Sequence, residues 1–207
     1  MKIKRTANAG VLIEMNGLRI LLDGVCKETE HYLGTPDDLK KELLEKLPDA
    51  VGFTHLHSDH FLESYANAYR NKSLRPILGS ECSHLQVGNV SLKAIPTRHL
   101  GKSDSEHYSF VIEGERRIFF MGDAAPTELK KLLTFGTPDI LIVPFAYCNT
   151  ESAWRNTLLS RAGEILLLHM PNKEADPYML WNSVENTTKW ENIRYFAKIN
   201  ELDHFVE

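Results

Sequence analysis

The chain has 207 residues, 43% of them hydrophobic and 25% charged, with a formal net charge of −4. That length and balance suit one soluble globular domain over residues 1–207, burying on the order of 70% of its unfolded surface. No Lys/Arg-dense stripe interleaved with aromatics and no apolar run approaching roughly 20 residues is present, so long nucleic acid and a membrane are not expected as partners.

Taken in chain order, short apolar runs between turn residues predict strands at 2–6, 10–15, 18–22, 50–54, 76–78, 88–95, 107–113, 116–121, 139–143 and 164–168. Helical spacing predicts helices at 36–46, 60–70, 127–134, 151–161 and 184–200. Asn16-Gly17 and Glu113-Gly114-Glu115 have hairpin-turn chemistry. The result is a mixed α/β (α+β) chain without a linker or repeat. Met1-Lys2-Ile3-Lys4-Arg5 leads into polar residues rather than a signal-peptide core, which points to a cytoplasmic setting. Cys26, Cys82 and Cys148 are too scattered for a disulfide framework and fit a reducing compartment; Cys148 reads as a packed thiol or a residue at a site rim. The aromatic segment from Trp181 to Phe205 reads as core or as the seat of a homo-oligomer contact.

Within this pattern, Thr54-His55-Leu56-His57-Ser58-Asp59-His60 directly follows an apolar stretch. If the extended backbone continues through it, His55, His57 and Asp59 share one side while Leu56 turns to the core, and His60 falls in the first turn of the next helix. Imidazole and carboxylate without thiolate suit zinc, iron or manganese and argue against a zinc finger or a calcium loop. Helix capping by Asp59 or Ser58 is the bland alternative.

His99, Asp123 and His169 each follow a further apolar run, the placement in which α/β proteins collect ligand-binding residues. Singly they read as a loop histidine, a helix cap near Pro126 and a core histidine. Together with the first run they read as one site.

This ordered set, His55-Leu56-His57-Ser58-Asp59-His60, His99, Gly122-Asp123 and His169, resembles the metallo-β-lactamase-fold superfamily of metallo-hydrolases. The opening segment Val11 to Asp23 resembles that family's first hairpin with its terminal aspartate. The resemblance implies a four-layer αββα sandwich and two divalent metal ions per chain, zinc first, with manganese or iron as alternatives. It implies that His55, His57 and His99 hold one metal, that Asp59, His60 and His169 hold the other, and that Asp123 bridges them. Asp23 matches an acid that supports the ligand loops through hydrogen bonds; as a bare sequence feature it is equally a turn aspartate before Gly24.

Departures from subfamily patterns narrow the expectation. A Cys in the second site, which common zinc β-lactamases carry, is replaced here by Asp and His, so antibiotic hydrolysis is not expected. His57 stands where flavodiiron proteins have Glu. The chain is expected to lack room for the added helical or inserted domains of glyoxalase II-like enzymes and nucleases.

A paired-metal site of this kind generates a hydroxide nucleophile near neutral pH, and Asp59 is the candidate proton shuttle. Arg98, Lys102 and His107 lie beside ligand positions and are candidates to bind an anionic group, with Arg155 or Lys173 approaching from the far side. The leading expectation is hydrolysis of a small anionic ester, a phosphodiester or cyclic phosphate. Alternatives are a lactone or thioester on the same site, and a non-catalytic metal-binding sensor or scaffold.

Overall fold

Two hairpins open the chain through β1 (Lys2–Arg5), β2 (Val11–Met15) and β3 (Leu18–Leu22). The β2–β3 turn uses Asn16 (φ 54°) and Gly17 (φ 75°), the left-handed pair that a two-residue hairpin requires. There follow α1 (Asp37–Glu45), β4 (Ala50–Gly52), α2 (Glu63–Ser73), β5 (His84–Val87), β6 (Val90–Pro96), β7 (Tyr108–Glu113) and β8 (Arg117–Phe120). The remainder comprises α3 (Leu129–Leu132) between 3-10 turns, β9 (Ile140–Pro144), α4 (Glu151–Leu159), β10 (Glu164–Leu168), α5 (Leu180–Thr187), β11 (Ile193–Tyr195) and β12 (Leu202–His204). The computed structural model describes residues 1–101, 104–176, 179–187, 192–196, 199 and 202–204.

The strands form two sheets, ordered β12-β1-β2-β3-β4 and β11-β10-β9-β8-β7-β6-β5. Side-chain alternation sorts the core into three layers. Ile3, Ile13 and Ile20 face Phe110, Ile112, Ile118 and Ile142 between the sheets. On the outer face of the first sheet, Leu12, Leu21 and Val51 pack against Leu39 and Leu43 of α1 and Tyr65 and Tyr69 of α2. On the outer face of the second, Val111, Phe119, Leu141 and Leu167 pack against Leu129 and Leu132 of α3, Ala153 of α4 and Trp181 and Val184 of α5. Helix, sheet, sheet and helix layers therefore follow one another, the expected αββα sandwich. Among the described residues no helix is long and apolar enough to cross a membrane.

Three expectations change. The helix expected from residue 60 starts at Glu63, because backbone bonds from His60 and Phe61 to the carbonyl of His57 spend that stretch on a turn. The helix expected over 184–200 is instead α5, ending at Thr187, and the parallel strand β11, whose Ile193 packs in the core beside β10. Trp190 lies outside the described residues. The strand β5 was not foreseen, since its residues are only half-buried or exposed, and at 76–78 only Leu78 makes isolated bridges.

A candidate metal centre

The positions singled out in the sequence all lie just past the C-terminal ends of strands: Asp23 after β3, His55 to His60 after β4, His99 after β6, Asp123 after β8 and His169 after β10. Strand pairing stops at Gly52, so the alternation expected through His55-Leu56-His57 does not persist. Leu56 consequently faces outward at 62% exposure instead of turning to the core. The loop is nonetheless tied down by Phe53 N–H to Leu78 O (3.2 Å), Tyr108 N–H to Thr54 O (2.8 Å) and His60 N–H to His57 O (3.0 Å).

Side-chain nitrogens and carboxylate oxygens gather in three overlapping groups, each within 4.8 Å: His55, His57 and His99; Asp59, His60 and His169; and His55, His60 and Asp123. The third group takes one member from each of the other two. Asp123 Oδ2 lies 3.4 Å from His60 Nε2, 3.5 Å from His169 Nε2 and 3.9 Å from His99 Nε2, and Asp59 Oδ2 lies 3.3 Å from His169 Nε2.

The hydrogen-bond network behind these groups fixes which nitrogen faces inward. Asp23 is fully buried; its Oδ1 accepts from Thr54 N–H (2.7 Å), and its Oδ2 accepts from the Thr54 hydroxyl (2.6 Å) and from His60 Nδ1 (2.8 Å). With its one proton given to Asp23, the Thr54 hydroxyl can only accept from His55 Nδ1 at 3.0 Å. His99 Nδ1 donates to the Leu100 carbonyl at 2.6 Å. In all three rings Nδ1 is therefore the nitrogen committed to the protein and Nε2 the one left facing inward, the arrangement that metal-ligating histidines adopt.

The Nε2 atoms of His60, His99 and His169 are buried and make no hydrogen bond. Buried ring nitrogens without a hydrogen bond beside carboxylates are costly unless a positive charge, a proton or a metal ion, sits between them. Two donors bound at about 2.1 Å to one tetrahedral ion stand roughly 3.4 Å apart, close to the spacings seen here. The donor set thus fits a divalent metal.

Electrostatics agree. Burial alone would lower His60, but Asp123 and Asp23 raise it well above the usual histidine value. Asp123 is held well below the carboxylate range: its burial acts upward and is outweighed by His169, His60 and His55. His55 is driven down, first by burial. The ring of Tyr32 meets His169 edge-on at 4.4 Å. Burial and the charges of Asp123 and Asp59 push its hydroxyl up to about 12, so it stays protonated.

The candidate substrate residues are placed differently. His107 is 2% exposed; its Nε2 accepts from Asp123 N–H at 3.1 Å, and its Nδ1 donates to Thr97 Oγ1 at 2.8 Å. Thr97 passes its proton to Ser109 Oγ (3.1 Å), which donates to Met121 O (3.0 Å). His107 therefore braces the Asp123 loop from behind, with both nitrogens committed, and does not reach a ligand. Arg98 is exposed, and its charge acts on Glu128. Lys102 lies outside the described residues. Arg155 pairs with Glu151 (2.8 Å) and Lys173 with Glu185 (3.2 Å).

Beside the first histidine group opens a cleft of about 360 Å³. Its walls include Phe53, Leu56 and Tyr108, with Ser80, Ser105 and Glu106 as polar members. Ser105, Glu106 and Tyr108 belong to the polar segment between His99 and Asp123, which the sequence suits to a site rim, whereas Phe53, Ser80, Tyr32 and the Thr97–Ser109 relay carried no such signal. Thr54, immediately before His55, also carried a local signal.

Candidate ligands at strand ends, between two sheets covered by helices, define an αββα sandwich of the metallo-β-lactamase type. The chain belongs to the beta-lactamase superfamily, whose domain model matches residues 2–157. Solved structures share the fold. An isothiocyanate hydrolase from Delia radicum gut bacteria is 17% identical over 99% of both chains, with a TM-score of 0.67. A protein from Veillonella parvula, described as a possible metal-dependent hydrolase, is 13% identical over 98% of both, with a TM-score of 0.71. A diphosphatase of the PhnP family is 14% identical over 95% of this chain and 84% of its own, with a TM-score of 0.53. A search of curated proteins finds no match.

Proposed function

We propose that this chain is a metal-dependent hydrolase that holds two divalent ions and cleaves a small ester. The observation that carries this is the set of buried, unbonded Nε2 atoms of His60, His99 and His169 facing the carboxylates of Asp59 and Asp123. His55, His57 and His99 would hold one ion, Asp59, His60 and His169 the other, with Asp123 shared. Zinc suits these donors best, and manganese and iron tolerate them. When bound, such a pair supplies a hydroxide near neutral pH and polarises the group under attack.

The chain's own residues do the rest. Asp23 and Thr54 keep His55 and His60 in the tautomers whose Nε2 faces inward. Asp59 has a side chain 19% exposed, which gives it access to water, so it can take a proton and return it to the leaving group. Tyr32, protonated and packed on His169, can donate a hydrogen bond to a substrate oxygen.

For the substrate, a lactone or thioester is the better-supported reading, because both nitrogens of His107 are committed inside the protein and the charge of Arg98 acts on Glu128. The structural relative named as an isothiocyanate hydrolase, an enzyme for an uncharged group, agrees with it. A phosphodiester or cyclic phosphate is the second reading, supported by the fold likeness to a diphosphatase. The three free cysteines support a reducing, cytoplasmic setting. The test is turnover of a thiolactone and of bis(p-nitrophenyl) phosphate with and without chelator, in wild type and Asp123→Ala. Chelator-sensitive turnover that Asp123→Ala abolishes supports the proposal; activity that survives both treatments defeats it.

A further inference from the structure

Leu56 stands between two candidate ligands, yet its side chain is 62% exposed. A single exposed leucine needs no explanation, whereas several apolar residues lining one concavity mark a ligand site. It does not stand alone: Phe53 and Tyr108 join it in the cleft of about 360 Å³ that also touches His55 and His57. The lining carries one acidic side chain, Glu106. Glu106 is exposed and accepts from the Tyr108 hydroxyl at 2.5 Å, which holds the carboxylate at the mouth. Among the described lining residues there is no lysine or arginine. His57, which also lines the cleft, has Nε2 within 3.1 Å of Ser105 Oγ and Nδ1 within 3.0 Å of His55 Nε2.

We infer that this cleft is the specificity subsite and that it receives an uncharged, apolar substituent of the substrate, such as a short acyl chain or an aryl ring. The inference rests on the hydrolase reading and deepens it. Leu56, Phe53 and Tyr108 supply the apolar contact, which is how small-molecule sites gain most of their affinity. Glu106 opposes an anionic substituent at the mouth, on the side away from the candidate metal positions, so charge there adds to shape in the discrimination. Because Leu56 belongs to the same short loop as His55 and His57, a group seated in the cleft lies directly beside the first candidate metal position.

The experiment has two arms on the purified full chain. In the first, binding of N-phenyl-1-naphthylamine is compared with that of 1-anilinonaphthalene-8-sulfonate, which differs by its sulfonate. The neutral probe is expected to bind at least tenfold more tightly, Leu56→Asp to weaken it tenfold or more, and Glu106→Gln to narrow the gap between the probes. In the second, kcat/KM for p-nitrophenyl esters is followed from acetate to hexanoate. A rise of at least tenfold is expected in wild type and a flat series in Leu56→Asp, with metal content of the variants measured alongside. Tighter binding of the sulfonate, or faster turnover of bis(p-nitrophenyl) phosphate than of the hexanoate that falls in Lys102→Ala, overturns the inference and leaves the metal-dependent hydrolase standing. Neutral-probe binding lost in Leu56→Asp, without chelator-sensitive turnover of any ester, supports the cleft and removes the hydrolase reading.

Discussion

Asp23 Oδ2 and His60 Nδ1 meet at 2.8 Å with both side chains fully buried. The same carboxylate also accepts from the backbone and the hydroxyl of Thr54, which in turn orients His55. One aspartate therefore sets the tautomers of a member of each candidate metal group. Its φ of 46° is one that Asn also tolerates, so Asp23→Asn removes charge and acceptor capacity without disturbing the backbone. An amide nitrogen would then face a donor, and metal affinity is expected to fall about 10–100-fold. Competition with a fluorescent chelator measures this, and an unchanged affinity would show that Asp23 plays no supporting part.

Gly122 has φ +53°, and a Cβ there would lie 2.6–2.8 Å from the side chain of Thr54. Gly122→Ala would thus combine a strained backbone with a push on the residue linking Asp23 to His55. The expected cost is about 2–4 kcal/mol, with accompanying loss of metal. Urea unfolding and metal content check it; a variant as stable and as well loaded as wild type would contradict the packing described.

How much of this could be read beforehand depended on the kind of signal. The candidate ligand positions were legible because each is a polar residue following an apolar strand, and burial on both faces made those strands visible as continuous apolar runs: Leu141 and Val143 face the helices while Ile140 and Ile142 face the other sheet. The direction of Leu56 was not, because alternation is a property of paired strands and pairing ends at Gly52. The role of His107 was hidden for a different reason. Its partners, Thr97 and the backbone of Asp123, are brought to it by tertiary structure, so its place beside ligand positions suggested a substrate contact when it is a brace. The segment 184–200 misled because Ile193, Tyr195 and Phe196 suit a helix face as well as a strand until β10 is there to pair with.

Burial lowers His107 to about 3, well under its unfolded value of roughly 6.5. The folded state therefore binds fewer protons than the unfolded state between those values. The stability this contributes is fully present above pH 6.5 and is lost as pH falls towards 3, at about 1.4 kcal/mol per pH unit. His55, also lowered, acts in the same direction. His60, raised, acts oppositely, but its contribution is lost only as pH rises above 6.5. For metal-free protein the urea midpoint should fall steadily from pH 6 to 4.5, and His107→Gln should flatten the slope. A midpoint independent of pH in that window would contradict a neutral, buried His107.

Without metal, the carboxylates of Asp123 and Asp23 on either side of His60 favour its protonated ring. A cation on its Nε2 must displace that proton, so apparent affinity is expected to rise with pH and binding to release on the order of one proton at pH 7. Calorimetric titration in buffers of different ionisation enthalpy reads the proton count. Identical heats in all buffers would mean that the metal does not reach His60.

The most direct measurement of the central claim is metal content per chain by elemental analysis, in wild type and in His169→Ala and His99→Ala. Two ions in wild type and about one in each variant, which would each lose a ligand of a different site, is the result predicted. No bound metal in wild type, even after reconstitution with zinc, manganese or iron, would contradict the assignment of His55, His57, Asp59, His60, His99, Asp123 and His169 as a metal centre.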